Sequence, residues 1–337
     1  MNDLQGLKVA ISSRTSKKVP MREIIFLLML FLVPSHAFAA EKIRIAVANM
    51  NVSFLVAGVA QKKGFFKEEG LEAEIIRMSP PVSVASLISG DLDYTTIFGS
   101  VVRAAVRGIP VKVLASFVDG STHALIARPE FKSVGELRGR TLGVGTIGDT
   151  SDTAARMMMK HFGVDPEKEM KIIPIGRDFA RLAALKEKLI DVAVAAPPTD
   201  AQGKKMGFHV LARAYEISRL PFIGLCATDR KIKERPEEVR GTLKALIRAN
   251  RFMRENRAET IELLMEWGRV DRESATAAYD GSVEVFNPDG SIPEKGLRAV
   301  IEEAKEAAKV TREVQLNEVS DIAVLREVQR DLGLGRK

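Results

Sequence analysis

From residue 41 to residue 228, short apolar runs alternate with amphipathic stretches, and this alternation restricts the fold more than any other feature of the chain. IRIAVA at 43–48 is too short for a helix and reads as a buried strand. Residues 54–69 carry Leu55, Val56, Val59, Ala60, Phe65 and Phe66 at helical spacing, with Gly70 as the stop. LEAEIIR at 71–77 is a second strand, broken by Pro80 and Pro81 ahead of a short helix over 82–89. A third strand is expected over 93–98, a helix over 100–107 and a fourth strand over 111–117. Strands that alternate with helices imply a parallel sheet covered on both faces.

A second series starts after another strand at 123–128. It comprises a short helix over 133–137, a strand over 141–144, a helix over 151–162, a strand over 172–175 and a helix over 179–188. Strands follow at 192–195, 210–212 and 222–227. Beyond Pro236 the pattern turns helical: Val239, Leu243, Leu246, Ile247 and Met253 fall on one face, as do Leu297, Val300, Ile301, Ala304 and Ala308. The chain therefore reads as α/β, in two units with a helical C-terminal segment. It contains no repeat of 20–50 residues.

Ahead of this stands IIFLLMLFLV at 24–33, ten apolar residues in a row. A membrane-spanning helix needs about 20. Arg22 before the run, with Pro34 and the small-residue pattern Ala37-Phe38-Ala39 after it, suits an export signal cleaved after Ala39 or Ala40. Met21 followed by Arg22 would begin a signal of ordinary length, so residues 1–20 read as an upstream extension or a mis-set start. Removing 40 of 337 residues leaves 297, enough for two domains. Lys8, Arg14, Lys17, Lys18 and Arg22 against Asp3 and Glu23 carry +3 of the formal +7, leaving +4, a balance that does not suggest nucleic acid. The single cysteine, Cys226, excludes an intramolecular disulfide and a cysteine-based metal site, and it reads as a small buried hydrophobe.

Six stretches follow one another in an informative order: AQKKGFFKEEGLE at 60–72, LISGDLD at 87–93, GRTLGV at 139–144, LKEKLIDVA at 185–193, AAPP at 195–198 and NPDGSI at 287–292. With them the chain resembles the periplasmic solute-binding proteins of the nitrate/sulfonate/taurine class, which includes pyrimidine-precursor binders. The resemblance implies a type II periplasmic binding protein with two α/β lobes. One solute would be held in the cleft between them. Two hinge crossings are expected near 122–128 and 222–228. Lobe one would comprise 41–123 and 226–337, lobe two 124–225, and residues 1–40 the signal peptide. It further implies a periplasmic monomer that delivers its solute to an ABC permease and ATPase, without catalysis, metal or cofactor. A ligand sensor for a membrane receptor is the alternative.

In open α/β sheets, ligands bind beyond the carboxyl ends of the strands, where helix N-termini present unpaired N–H groups. Five such loops are rich in small polar residues. They place Asn49, Met50 and Asn51 after the first strand; Phe98, Gly99 and Ser100 after the third; and Ser116 and Ser121 around the end of the fourth. Thr146, Thr150 and Ser151 follow the strand at 141–144, and Arg177 follows the strand at 172–175. Each Ser, Thr or Asn serves equally well as a cap of its own helix. As a set the loops favour a shared cleft, with Arg177 as the counter-charge for an acidic solute group. Asp149 and Asp152 compete with an anion for the same N–H groups, which leaves room for a neutral or partly cationic solute.

Two enzymatic alternatives arise. GVGTIG at 143–148 matches the dinucleotide pattern G-x-G-x-x-G, with Asp178 as the nearest ribose-binding acid, about 30 residues on where the pattern expects about 20. A pyrimidine-precursor synthase of the same superfamily would use a reactive histidine and a cysteine cluster around iron. Here one cysteine is present, and His123 is the histidine nearest the presumed crossing. Sequencing the N-terminus of the exported protein is expected to give Ala40 or Glu41 first; retention of residues 24–33 would refute the export signal.

Overall fold

The computed structural model describes residues 40–334, so the signal expected over 1–40 lies outside the described residues except for Ala40. Strand β1 (Glu41–Val47) buries Ile43, Ile45, Ala46 and Val47 completely, because both faces of its sheet are covered. β2 (Leu71–Arg77) and the two-residue β3 (Tyr94–Thr95) flank it in parallel register, with Ile45 opposite both Ile75 and Tyr94. β4 (Val111–Asp119) lies at the far edge of this first sheet.

The chain then leaves for a second sheet. There β5 (Ala124–Ala127), β6 (Thr141–Val144), β7 (Lys171–Pro174), β8 (Val192–Ala195) and β9 (His209–Arg213) assemble in the order β7-β6-β8-β5-β9. It returns as β10 (Pro221–Thr228), which inserts between β3 and β4 to complete the first sheet as β2-β1-β3-β10-β4. The sheet changes thus fall between Asp119 and Ala124 and between Arg213 and Pro221. The whole of 222–228, expected to hold a crossing, is already inside the first sheet.

The α/β class stands, but the expected all-parallel sheets do not: both sheets are mixed. β10 runs antiparallel to β3 and β4, and β5 runs antiparallel to β8 and β9. These are the two strands that arrive directly from the other sheet. They lack a helical crossover to restore their direction, so they enter head to tail.

Other differences have local causes. The helix expected over 54–69 is a 3-10 turn at Val52–Phe54 and two helices, Leu55–Lys62 and Phe65–Glu68. They part at Gly64, whose φ of 77° a longer side chain would resist. The third strand shrinks to two residues because Phe98 already opens the helix Phe98–Ala105.

The C-terminal helices return to the first sheet. Val239, Leu243, Leu246, Ile247 and Met253 of Pro236–Glu255 are all buried, against the Leu55–Lys62 helix among others. Leu297, Val300, Ile301 and Ala304 of Glu294–Ala308 pack on the Phe98–Ala105 helix, with Ala308 half-buried at the margin. Asp321 then donates its N–H to the Val113 carbonyl of β4 at 3.1 Å, tying the tail to that edge. Cys226 is fully buried in this core, and burial pushes its thiol pKa up. No described helix is long and apolar enough to cross a membrane.

β10 and β4 meet through a bulged register, and Gly224 makes that approach possible. A Cβ added there would lie 1.9 Å from the Ala115 carbonyl oxygen and 2.8 Å from the Phe98 ring. Gly224→Ala is therefore expected to lower the free energy of unfolding by about 1–3 kcal/mol in urea titration; an unchanged midpoint would show that β10 can slide off β4.

Candidate functional site

At the carboxyl end of β1, Ala48 to Asn51 turn toward the second sheet, and the Arg77–Pro80 stretch closing β2 lies beside them. Opposite stand the loop after β6, which leads into the helix Thr150–His161, and the loop after β7, which leads into the helix Asp178–Lys186. Together they enclose a cavity of about 230 Å³. Thr150 is shared with a more apolar compartment of about 120 Å³, and Pro80, Thr146 and Asp149 with a third space of about 210 Å³, which Arg103 in turn joins to the apolar one. The three form one crevice, walled by both sheets.

Of the residues expected at the site, Asn49, Asn51, Thr146, Thr150, Ser151 and Arg177 line the first cavity. Gly99 and Ser121 line the apolar compartment beside Met157, Leu220 and Phe222. Ser100 lines the third space and accepts a hydrogen bond from Arg103 Nη2 at 3.0 Å. Phe98, Ser116 and Met50 line none of these spaces. Phe98 is fully buried in the core, because it starts its helix facing the sheet. Ser116 is fully buried and donates to Asp119 Oδ1 at 2.6 Å. Met50 is exposed.

The base of the cavity is a hydrogen-bonded bridge between the sheets. Asp178 and Arg181, one turn apart on one helix, form a buried ion pair. The second carboxylate oxygen, Oδ2, accepts from Asn49 Nδ2 at 3.0 Å and from Asn51 Nδ2 at 3.3 Å, both across the crevice. Arg181 also donates from Nε to the Val194 carbonyl at 2.6 Å and from Nη1 to the Gly176 carbonyl. The pair is thereby satisfied in the way that a buried charge requires.

The loop after β6 uses most of its own donors. Asp149 caps the helix, accepting from the N–H groups of Thr146, Ser151 and Asp152 at 2.8–2.9 Å and from Ser151 Oγ at 2.7 Å. Asp152 accepts from the Gly148 N–H, and Ser151 Oγ from the Gly145 N–H, both at 2.8 Å. The competition expected of Asp149 and Asp152 is thus an occupied cap. The same bonds consume the donors that a dinucleotide pyrophosphate would need. Gly143 serves packing instead: a Cβ there would meet Ile190 at 2.7 Å.

Sequence reasoning did not single out Arg77 or Arg181 for this site. Arg77 was legible, since it closes the second strand, whose end was not counted among the polar loops. Arg181 was not, because nothing in a helical RDFARL distinguishes a bridging arginine from a surface one. Among the described residues no cluster of three or more His, Cys, Asp or Glu side chains is placed to hold a metal ion.

Two mixed α/β sheets between which the chain passes twice, with a crevice where they meet, define a periplasmic binding protein fold. The likeness to solved structures is of that kind. A structure from Bordetella bronchiseptica RB50 superposes with a TM-score of 0.76 at 21% identity, covering 87% of this chain and 98% of that one. The ligand binding component of an ABC-type import system from Staphylococcus aureus gives 0.73 at 13%, covering 86% and 99%. The alkanesulfonate-binding protein from Xanthomonas axonopodis pv. citri, bound to MOPS, gives 0.71 at 13%, covering 85% and 100%. The chain belongs to the NMT1/THI5-like family, whose model matches residues 51–260. A 4-amino-5-hydroxymethyl-2-methylpyrimidine phosphate synthase of Saccharomyces cerevisiae is 27% identical over 217 residues, which are 58% of this chain and 62% of the yeast protein. The chain thus spans less than two thirds of the length of that curated relative.

His123 lines the cavity next to Asp178 and Arg181, with Nδ1 2.9 Å from Ser121 Oγ and its ring edge-on to Phe222. Burial pushes its pKa down to about 4, partly offset by the Asp178 charge. The unfolded chain binds this proton near pH 6.5, whereas the folded one refuses it until about pH 4, so stability falls as pH drops through that window. Comparing wild type with His123→Gln in chemical unfolding at pH 7 and pH 4.5 is expected to remove up to about 3 kcal/mol of the pH-dependent loss; equal pH dependence would contradict a buried neutral imidazole.

Proposed function

We propose that this chain is an extracytoplasmic solute-binding protein that delivers a small organic solute to an ABC importer by closing its two lobes around it. One observation carries the reading: a polar crevice is walled by loops of both sheets, and among the described residues the chain passes between the sheets by two short crossings. The lobes then follow the sheets, lobe one comprising 41–119 with 221–334 and lobe two 124–213, so the boundary expected at 225/226 moves to the crossing that ends before β10. A solute that touches both walls favours the closed form because its contacts are complete only there. The permease would recognise that form. The candidate contacts are Asn49, Asn51, Ser121, Thr146, Thr150 and Arg177, with Met157 and Phe222 for an apolar portion.

A second reading, a pyrimidine-phosphate synthase-like enzyme, is favoured by the yeast relative and by His123 at the crevice wall. The two separate on turnover: a binding protein returns its solute unchanged. A receptor-linked sensor separates on the membrane protein that co-purifies.

Trp267, the single tryptophan, donates its indole N–H to the Asn51 carbonyl at 3.0 Å and so reports on the crevice. Sulfonates, taurine, nitrate, pyrimidines, aromatic acids and amines should be screened by thermal unfolding and by Trp267 fluorescence. At a hundredfold excess over Kd, a bound solute is expected to stabilise by about 2.7 kcal/mol, roughly a 5 °C shift, and to change the emission. No shift with any solute, together with measurable turnover of one, would replace transport by catalysis.

A further inference from the structure

One donor beside the Asp178–Arg181 bridge is left over. The His123 side chain is only 6% exposed, and it lines the cavity of about 230 Å³ together with Asp178 and Arg181. Its ring stands edge-on to Phe222, with centroids 5.7 Å apart, and Phe222 and Ser121 both line the adjoining apolar compartment. The imidazole thus lies at the junction of a polar space and an apolar one.

Hydrogen bonding fixes which ring nitrogen carries the proton. Nδ1 lies 2.9 Å from Ser121 Oγ, and the same Oγ accepts from the His123 main-chain N–H at 3.4 Å. Among the described residues this hydroxyl has no other partner, so its hydrogen is paired only when it donates to Nδ1. Burial holds the ring neutral. A neutral imidazole whose Nδ1 accepts carries its one proton on Nε2. Nε2 has no partner among the described residues and is not sealed off by them.

The charges around it decide what that proton serves. Arg181 is committed to Asp178 and to the Val194 and Gly176 carbonyls. Asp178 and Asp149, which line the same cavity, both oppose an anion placed against His123. Arg77 and Arg177 line it too, but both are exposed, where water and salt screen them. An uncharged acceptor meets no opposition from any of these groups.

We propose that His123 is a specificity-determining contact: its Nε2–H donates to an uncharged carbonyl oxygen of the solute, carboxamide in kind, whose apolar body extends past Phe222 into the adjoining compartment. The proposal rests on the solute-binding reading and specifies its ligand chemistry. A solute that fills the site without an acceptor leaves a buried donor unpaired and is rejected for that reason. Ser121 is a positioning residue that holds the tautomer.

Benzamide, benzoate and benzylamine share a ring and differ in the group it carries. Titrated into the mature chain at pH 7, benzamide is expected to bind about tenfold more tightly than either, read from Trp267 emission and thermal unfolding. His123→Leu should weaken benzamide by about tenfold, and His123→Gln, which restores an N–H donor, should recover most of the loss. Nitrogen NMR of the imidazole needs no ligand: it should place the proton on Nε2 in wild type and on a mixture of both nitrogens in Ser121→Ala. A proton on Nδ1 in wild type, benzoate bound as tightly as benzamide, binding of none of the three probes, or undiminished benzamide affinity in a folded His123→Leu would each overturn the proposal. Should His123→Leu fail to fold, the tautomer and the probe comparison still decide. A solute from the wider screen that binds regardless of His123 would then leave solute binding standing, whereas a screen with no bound solute would remove both.

Discussion

The Asp178 carboxylate lies where the two sheets meet, and the geometry of the crevice follows from how it is satisfied. One oxygen pairs with Arg181 on its own helix, and the other accepts from Asn49 and Asn51 across the gap. Arg181 is in turn held by the carbonyls of Val194 and Gly176, at the ends of β8 and of the loop after β7. Removing one member of such a buried pair leaves an uncompensated charge, at a cost of about 3–5 kcal/mol. Three strand ends from two sheets are thereby fixed relative to one another by one carboxylate. The same carboxylate occupies the two asparagine side chains most readily assigned to a solute.

That arrangement divides the crevice into a satisfied base and an unsatisfied mouth. At the base, Asp178, Arg181 and the self-capped loop of Asp149 have partners. At the mouth, Arg77, Arg177 and the exposed Thr146 face open space. Beside it lies the compartment of Met157, Leu220 and Phe222, which is suited to an apolar body. Opening the sheets requires breaking the two Asn–Asp hydrogen bonds, each worth about 1.5–3 kcal/mol when one partner is charged. A solute that also favours the closed form adds its stabilisation to this hold and does not oppose it.

Strand and helix identity was largely legible in the sequence because hydrophobic period and glycine stops are local signals. The runs at 43–48, 71–77, 111–117 and 192–195, and the buried face of the Pro236–Glu255 helix, needed no tertiary information. Strand direction was not legible, because whether β5 and β10 run parallel depends on where the chain comes from, not on their composition. The strand-end loops after β1, β6 and β7 were found from topology alone. The roles of their polar residues were not, since Asn49 binding a carboxylate 129 residues away and Asp149 binding its own loop look alike in sequence. Phe98 and Ser116 show the remaining difficulty: a strand-end residue points to the crevice or into the core according to a rotation of the backbone that composition does not encode.

Closure around a solute is tested most directly by a distance between the sheets. Spin labels at Ser89→Cys and Lys186→Cys, both exposed sites on helices of opposite sheets, leave the fully buried Cys226 unlabelled. Without solute, closure predicts a broad distance distribution that includes a longer, open population. With a saturating solute from the screen, it predicts collapse to the single separation seen in the structure. An unchanged distribution in the presence of a demonstrably bound solute would contradict the clamshell account.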